Sequence, residues 1–328
     1  MQRQHFLRAA VAATVTATLA LTTLGAAAQA WPSKPVKFII PFPPGGTLDT
    51  VGRLLAQKLQ EQLGQTFIVE NRAGGNGMIG SDAVAKAPAD GYTLLFNAST
   101  FTTTPMTVKS APYDVLRDFA PVAMVAKAPL AVSVNNNLPV NDIKGLMAYA
   151  RANPGKLNFA IGSTGSAGNL ATELLKRASG SGGIDLTIVP YKGTAPAFQD
   201  LVGGQIEGFI DPLLGAMNFH KAGKVKIIAV TSKSRVVTLP DVPTVGETVP
   251  GYEFYSWYGV WGPAKLPAEV VTRLNGEVNK ALAGDMRERL LSQGLLVGGG
   301  SVEDFVKFQR DDMARSQKII TDGNIRAE

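Results

Sequence analysis

Three glycine-rich stretches carry residue types from which phosphate, nucleotide or acyl chemistry is built, and each lacks what its reaction needs. Gly45-Gly46-Thr47 does not have the G-K-[ST] ending of a phosphate-transfer loop. Gly75-Asn76-Gly77-Met78-Ile79-Gly80 fits the dinucleotide fingerprint by letter. It lies outside the first strand-helix unit, however, and about 20 residues on, where an acid should hold the ribose, stands Leu94-Leu95-Phe96-Asn97-Ala98. A glycine-rich loop feeding a short helix over 81–86 is the better reading. Gly162-Ser163-Thr164-Gly165-Ser166 resembles a nucleophile elbow, but its central residue is Thr164. The chain has no cysteine and two histidines, of which only His220 lies beyond residue 30, in what reads as the end of a surface helix. With no spaced run of Asp and Asn either, no metal site and no cofactor are expected. Asp49 and Asp211 remain as carboxylates able to face a common cleft, although an aspartate after a proline-glycine loop serves equally well as a helix-turn partner.

What the glycine-rich stretches can do is bind. Val36-Lys37-Phe38-Ile39-Ile40 is an apolar run suited to a buried parallel strand, and the prolines that follow must end it. Gly45 and Gly46 turn the chain, and Leu48, Val51, Leu55 and Leu59 then recur at helical spacing. Thr47 or Asp49 can cap this helix. A helix start leaves amides unpaired and carries roughly half a positive charge, so residues 42–49 form a candidate anion site, with Phe42, Gly45, Gly46, Thr47 and Asp49 as contacts. The competing reading is an ordinary strand-to-helix turn.

The unit then repeats. Thr66-Phe67-Ile68-Val69 and Tyr92-Thr93-Leu94-Leu95-Phe96 read as further strands, the latter opening into a Thr-rich loop over 97–105. Ligands in open parallel sheets bind at strand C-termini, which makes Asn97, Ala98, Ser99 and Thr100 candidates beside the first loop; a merely solvated loop is the alternative. Residues 119–134 form an apolar run long enough to pass from one domain to another. Beyond it, a strand at 157–161 leads into a loop with Thr164, Gly165, Ser166 and Asn169, then a helix at 170–175. Strands at 186–189 and 206–210 end in Tyr191-Lys192-Gly193 and in Asp211-Pro212. From Tyr255 the chain crosses back through an aromatic strand at 257–263 and finishes in helices. An α/β protein of two lobes follows, residues 31–125 with 255–328 forming one and 126–254 the other, with a cleft between them. If each lobe aims a helix start into the cleft, a ligand with carboxylates at both ends satisfies both and draws the lobes shut. Asp211, if its carboxylate reaches the cleft, favours an amino- or amide-bearing ligand.

The first thirty residues have the pattern of a secretory signal: Arg3 and Arg8, a small apolar stretch, and Ala28-Gln29-Ala30 before a cleavage point between Ala30 and Trp31. Export to a bacterial periplasm is expected. No later stretch reaches the ~18 apolar residues of a membrane span. Lys and Arg number 32 against 26 Asp and Glu, a formal charge of +6; losing Arg3 and Arg8 leaves a modest, scattered excess with no basic run, which argues against nucleic acid. An exported chain without cysteine holds together by packing alone.

These motifs occur in an order that resembles the Bug/TctC family, the periplasmic solute-binding proteins of tripartite tricarboxylate transporters. The resemblance rests on Trp31-Pro32-Ser33-Lys34-Pro35-Val36, Pro41-Phe42-Pro43-Pro44-Gly45-Gly46 with Asp49, and Glu70-Asn71-Arg72. It continues through Asp90-Gly91-Tyr92-Thr93-Leu94-Leu95, Pro190-Tyr191-Lys192-Gly193 and Leu239-Pro240-Asp241-Val242-Pro243-Thr244. It implies a type II periplasmic binding fold, with mainly parallel central sheets joined by two crossing strands. A small organic acid held by amides, hydroxyls and water, transient contact with transporter membrane subunits, a monomer and no catalysis are also implied. The implied contacts are Phe42, Gly45, Gly46, Asp49, Asn97 to Thr100, Thr164 to Ser166, Tyr191 and Asp211. Asn169 stands where the family often has histidine, so ligand identity does not transfer from relatives. Two alternatives stand beside this reading: a sensor subunit signalling to a membrane kinase, and a hydrolase using Asp49 or Asp211.

Overall fold

The computed structural model describes residues 31–178 and 183–327. The expected export signal, residues 1–30 with its cleavage point, lies outside the described residues. β1 (Val36–Ile40) pairs in parallel with β2 (Phe67–Asn71) and β3 (Thr93–Ala98), and it is apolar on both faces because each packs into a core, Val36, Phe38 and Ile40 on one side and Ile39 on the other. Between β1 and β2 runs α1 (Thr47–Leu63), which buries Leu48, Val51, Leu55 and Leu59 and ends at Gly64 in the left-handed region. A 3₁₀ turn at Gly75–Gly77 leads into α2 (Met78–Ala85), which begins three residues before the expected start.

The Thr-rich segment expected as a loop is a helix. Asn97 and Ala98 finish β3, and α3 (Thr100–Thr107) follows with Pro105 inside it. Threonine and proline are poor helix formers, so local sequence argues against this element. Threonine hydroxyls turn back onto its own turns, Thr104 Oγ1 donating to Thr100 O at 2.8 Å and Thr107 Oγ1 to Thr104 O at 3.0 Å. Tertiary burial of Phe101 completes it.

β4 (Phe119–Asn135) is the spine of the molecule. The second half of the chain adds α4 (Ile143–Ala152), β5 (Asn158–Ile161), α5 (Ala167–Ala178), β6 (Thr187–Pro190), α6 (Thr194–Gly203), β7 (Gly208–Pro212), α7 (Leu213–Lys221) and β8 (Val225–Val230). The chain closes with β9 (Tyr255–Pro263), α8 (Ala268–Ala283), α9 (Asp285–Ser292), β10 (Leu296–Val297) and α10 (Val302–Gly323). The strand order is β2-β1-β3-β9-β4-β7-β5-β6, with β8 and β10 also on β4. Up to Pro129, β4 pairs antiparallel with β9; from Leu130 it pairs with β7 and β8. One strand therefore belongs to two sheets, each with three parallel strands.

The return crossing is tied to the first by Thr231, fully buried. Its hydroxyl accepts from Leu130 N–H at 2.8 Å and donates to Phe254 O at 2.7 Å, while Phe254 N–H donates to Thr231 O at 2.9 Å. Separate apolar clusters fill the two halves. α10 reaches both: Phe305 packs with Trp257 and Trp261 in the first, Ile319 and Ile320 with Val245 and Tyr252 in the second.

Candidate ligand-binding site

Five helices begin on one cleft. Gly46 and Thr47 at the start of α1, Thr100 of α3, Ser166 and Ala167 at α5, Gly193 and Thr194 at α6, and Pro212 ahead of α7 all line it. In α/β units the helix follows the strand, so parallel strands whose C-terminal ends converge deliver their helix starts to one place. The residues preceding α1, α3, α6 and α7 are Gly46, Ser99, Gly193 and Pro212, and none caps its helix with a side chain. Amides at those starts are left for a ligand. At α5 the Ser166 hydroxyl accepts from Asn169 N–H at 3.2 Å. The summed helix ends make the cleft attractive to anions without a cluster of cationic side chains. Of the described lining residues only the exposed Lys192 and the buried Asp211 are of charged type.

The floor comes from β9. Ser256 and Tyr258 line the cleft, and the Tyr258 hydroxyl lies beside the hydroxyls of Ser256 and Thr47. None of these contacts is aligned as a hydrogen bond for Tyr258 OH or Thr47 Oγ1, which are both buried without a partner. Unpaired buried hydroxyls are uncommon and costly, and a ligand oxygen is the natural partner for them. Burial pushes the Tyr258 phenol well above its ordinary value, so it stays a neutral donor.

Of the sequence-predicted contacts, Phe42, Gly46, Thr47, Ala98, Thr100, Ser166, Gly193 and Asp211 line the cleft. The remainder take other places. Asp49 accepts from Gly45 N–H at 3.1 Å, from Arg53 Nε at 3.0 Å and from Asn71 Nδ2 at 3.0 Å. Asn71 Nδ2 also donates to Phe42 O at 3.0 Å, so Asp49 and Asn71 together pin the loop that carries Phe42 and Gly46. Burial pushes the Asp49 carboxyl up, but the bonds from Arg53, Asn71 and Gly45 outweigh it and hold the group below the ordinary range. Asn97 is buried with its amide on Ser81 Oγ at 3.3 Å. Asn169 Oδ1 accepts from Gly165 N–H at 2.9 Å, shaping its own loop. Tyr191 turns its hydroxyl to Asp200 at 2.6 Å. Ser99 and Gly165 border a separate small hollow next to Tyr255 and Asp312. Thr164 lies in the loop ahead of α5 and does not line the cleft.

Sequence reasoning passed over Ser256, Tyr258, Thr194 and Lys192. Lys192 and Thr194 sit inside the 190–194 motif, and Tyr258 was signalled by alternation, since Trp257 and Trp261 share one face of β9 and Tyr258 takes the other. His220 is structural: its Nδ1 lies 3.3 Å from both Val225 O and Ile227 N.

Residues 51–325 match the model of the tripartite tricarboxylate transporter family receptor, TctC. The chain belongs to this family. Among TctC relatives, the protein BugT of Bordetella pertussis is 38% identical over 261 residues, covering 78% of each chain. The solved structure of R. palustris Rpa4515 with adipate superposes at a TM-score of 0.87 with 38% identity, covering 90% of this chain and 99% of that one. MatC from Rhodopseudomonas palustris with bound malate superposes at 0.81 with 30% identity, over 88% and 100% of the two chains. The TctC fold, two lobes of mixed α/β structure about shared strands, is the fold described above.

Proposed function

We propose that this chain captures a small organic acid in the periplasm, closes its two lobes on it, and hands it to the membrane subunits of a tripartite transporter without catalysis. The observation that carries this is the convergence of five helix starts on a cleft whose amides and hydroxyls suit carboxylate oxygens. Adipate in one relative and malate in another are both dicarboxylates, which supports the same class here. The moving parts are residues 31–125 with 255–328 against 126–254, bending about the Pro129–Leu130 junction of β4. Thr103 Oγ1 of α3 donates to Gly165 O ahead of α5 at 2.7 Å, a contact between the walls that closure uses. Ligand binding draws the remaining helix starts together, because only the closed arrangement lets both ends of the ligand bind. Export with cleavage before Trp31, and action as a monomer, belong to this reading.

The test is thermal unfolding of the chain from Trp31 with adipate, malate, shorter and longer dicarboxylates, tricarboxylates, aromatic acids and amino acids. A ligand at 100-fold over its Kd adds about 2.7 kcal/mol of stability. A shift confined to dicarboxylates supports the reading, and a shift confined to compounds without a carboxylate sinks it.

A further inference from the structure

Asp211 is an acid inside a site built of donors. It ends β7 at the entry to α7, is 8% exposed, and lines the cleft. Its carboxyl oxygens lie near the backbone at Gly162 and Gly215, where an added Cβ would stand 3.9 Å and 3.3 Å away. On β4, Ala131 is its register partner; β5 leads into Gly162, α5 brings Gly168, α6 brings Thr194, α7 brings Gly215 and β9 brings Tyr258. Among these neighbours the titratable groups are Asp211 and Tyr258 alone, and the cleft adds only the exposed Lys192. Among the described residues no cation pairs with an ionised Asp211, and an anionic ligand entering beside it would meet a like charge in a dry place.

We propose that Asp211 binds the ligand as a neutral carboxylic acid, donating its proton to a carboxylate oxygen and completing a cradle otherwise made of amides and hydroxyls. The inference rests on the carboxylate reading of the cleft. Burial pushes the Asp211 carboxyl up to about 8, Thr194 beside it pulling weakly the other way, so the acid form is the resident one at neutral pH. Capture is then coupled to a proton: the acid form binds, and above about pH 8 each bound anion must bring one proton with it. An ionised Asp211 would do the opposite, selecting an amine and binding it better as pH rises.

Calorimetric titration of the protein with adipate and with malate, from pH 6.5 to 9.5 in buffers of different ionisation heat, reads this directly. The wild type is expected to hold its affinity to about pH 8 and then lose about tenfold per pH unit, with one proton taken up. Asp211→Asn keeps a donor that does not titrate, so its affinity profile is flat over the same range; every other group is common to both proteins. Asp211→Ala loses at least tenfold at pH 7. A ligand-free reading runs alongside. An acid whose folded value is raised holds its full stabilising effect below its unfolded value of ~3.9 and loses it as pH rises through the folded one, so Asp211→Asn should melt increasingly above wild type between pH 4 and 8. Binding of either diacid with a wild-type profile flat to pH 9.5, or rising with pH, overturns the proton donor and leaves the carboxylate reading standing. If neither diacid binds, the same titration is run with whichever carboxylate shifts the melt; if no carboxylate shifts it while the melting gap is present, the carboxylate reading and the donor role both fall.

Discussion

The Tyr113 hydroxyl donates to the carbonyl of Phe101 at 3.1 Å, the acceptor that Pro105 leaves without its helical partner. In α3 the amide of residue 105 would bond residue 101, and proline has none. A side chain twelve residues away supplies the missing donor, which is why a Thr-rich, proline-containing segment holds as a helix at the edge of the cleft.

Tyr113→Phe should therefore cost about 1–2 kcal/mol, the cost of leaving a buried carbonyl unpaired. Pro105→Ala restores the amide and should remove most of that penalty when combined with it. Denaturant unfolding of the four proteins in a double-mutant cycle measures the coupling, and additive effects would show that the two residues act separately.

Asp49 is expected to act through the loop it holds. Asp49→Asn should lower stability at pH 7 by about 1–2 kcal/mol, toward the low end because Arg53 is half exposed and its charge is screened. The carboxyl is held below its ordinary value, so its contribution is present above ~3.9 and fades as pH falls through the folded value. The gap between wild type and variant should close in melts run below pH 4.

Gly168 lies where α5 meets β7, and a Cβ there would fall against the backbone carbonyl of Ile210. Backbone cannot give way as a side-chain tip can. Gly168→Ala should cost about 1–3 kcal/mol and displace the start of α5, weakening ligand binding as well. A melting temperature unchanged within a degree would show that the helix slides without penalty.

Tyr258→Phe should have opposite effects on the empty and occupied protein. Removing a buried hydroxyl that has no partner raises the stability of the empty form by about 1 kcal/mol, and losing a donor to the ligand weakens binding about tenfold. Calorimetric unfolding with and without adipate separates the two.

The strand-loop-helix units were legible in the sequence because apolar runs and helical spacing are local signals. β1, α1 and the long β4 lie close to where periodicity put them. Loops that end parallel strands pointed to Gly46, Thr47, Ser166, Gly193 and Asp211. What could not be read was set by distant partners. α3 needs Tyr113, and the role of Asp49 needs Asn71, 22 positions on; a carboxylate after a glycine loop looks the same whether it faces a ligand or a neighbouring side chain. Ser256 and Tyr258 reach the cleft only because β9 inserts between β3 and β4, a pairing across more than a hundred residues.

β9 has two faces with different audiences. Tyr258 looks into the cleft, while Trp257 and Trp261 look outward to α10, their indole nitrogens on Asp312 at 2.9 Å and Gln309 at 2.8 Å. The chain has three tryptophans, and two of them sit on this strand. Any tilt of β9 on filling the cleft would reach both indoles at once, which makes the protein's own ultraviolet emission, with no dye attached, the place to look for it.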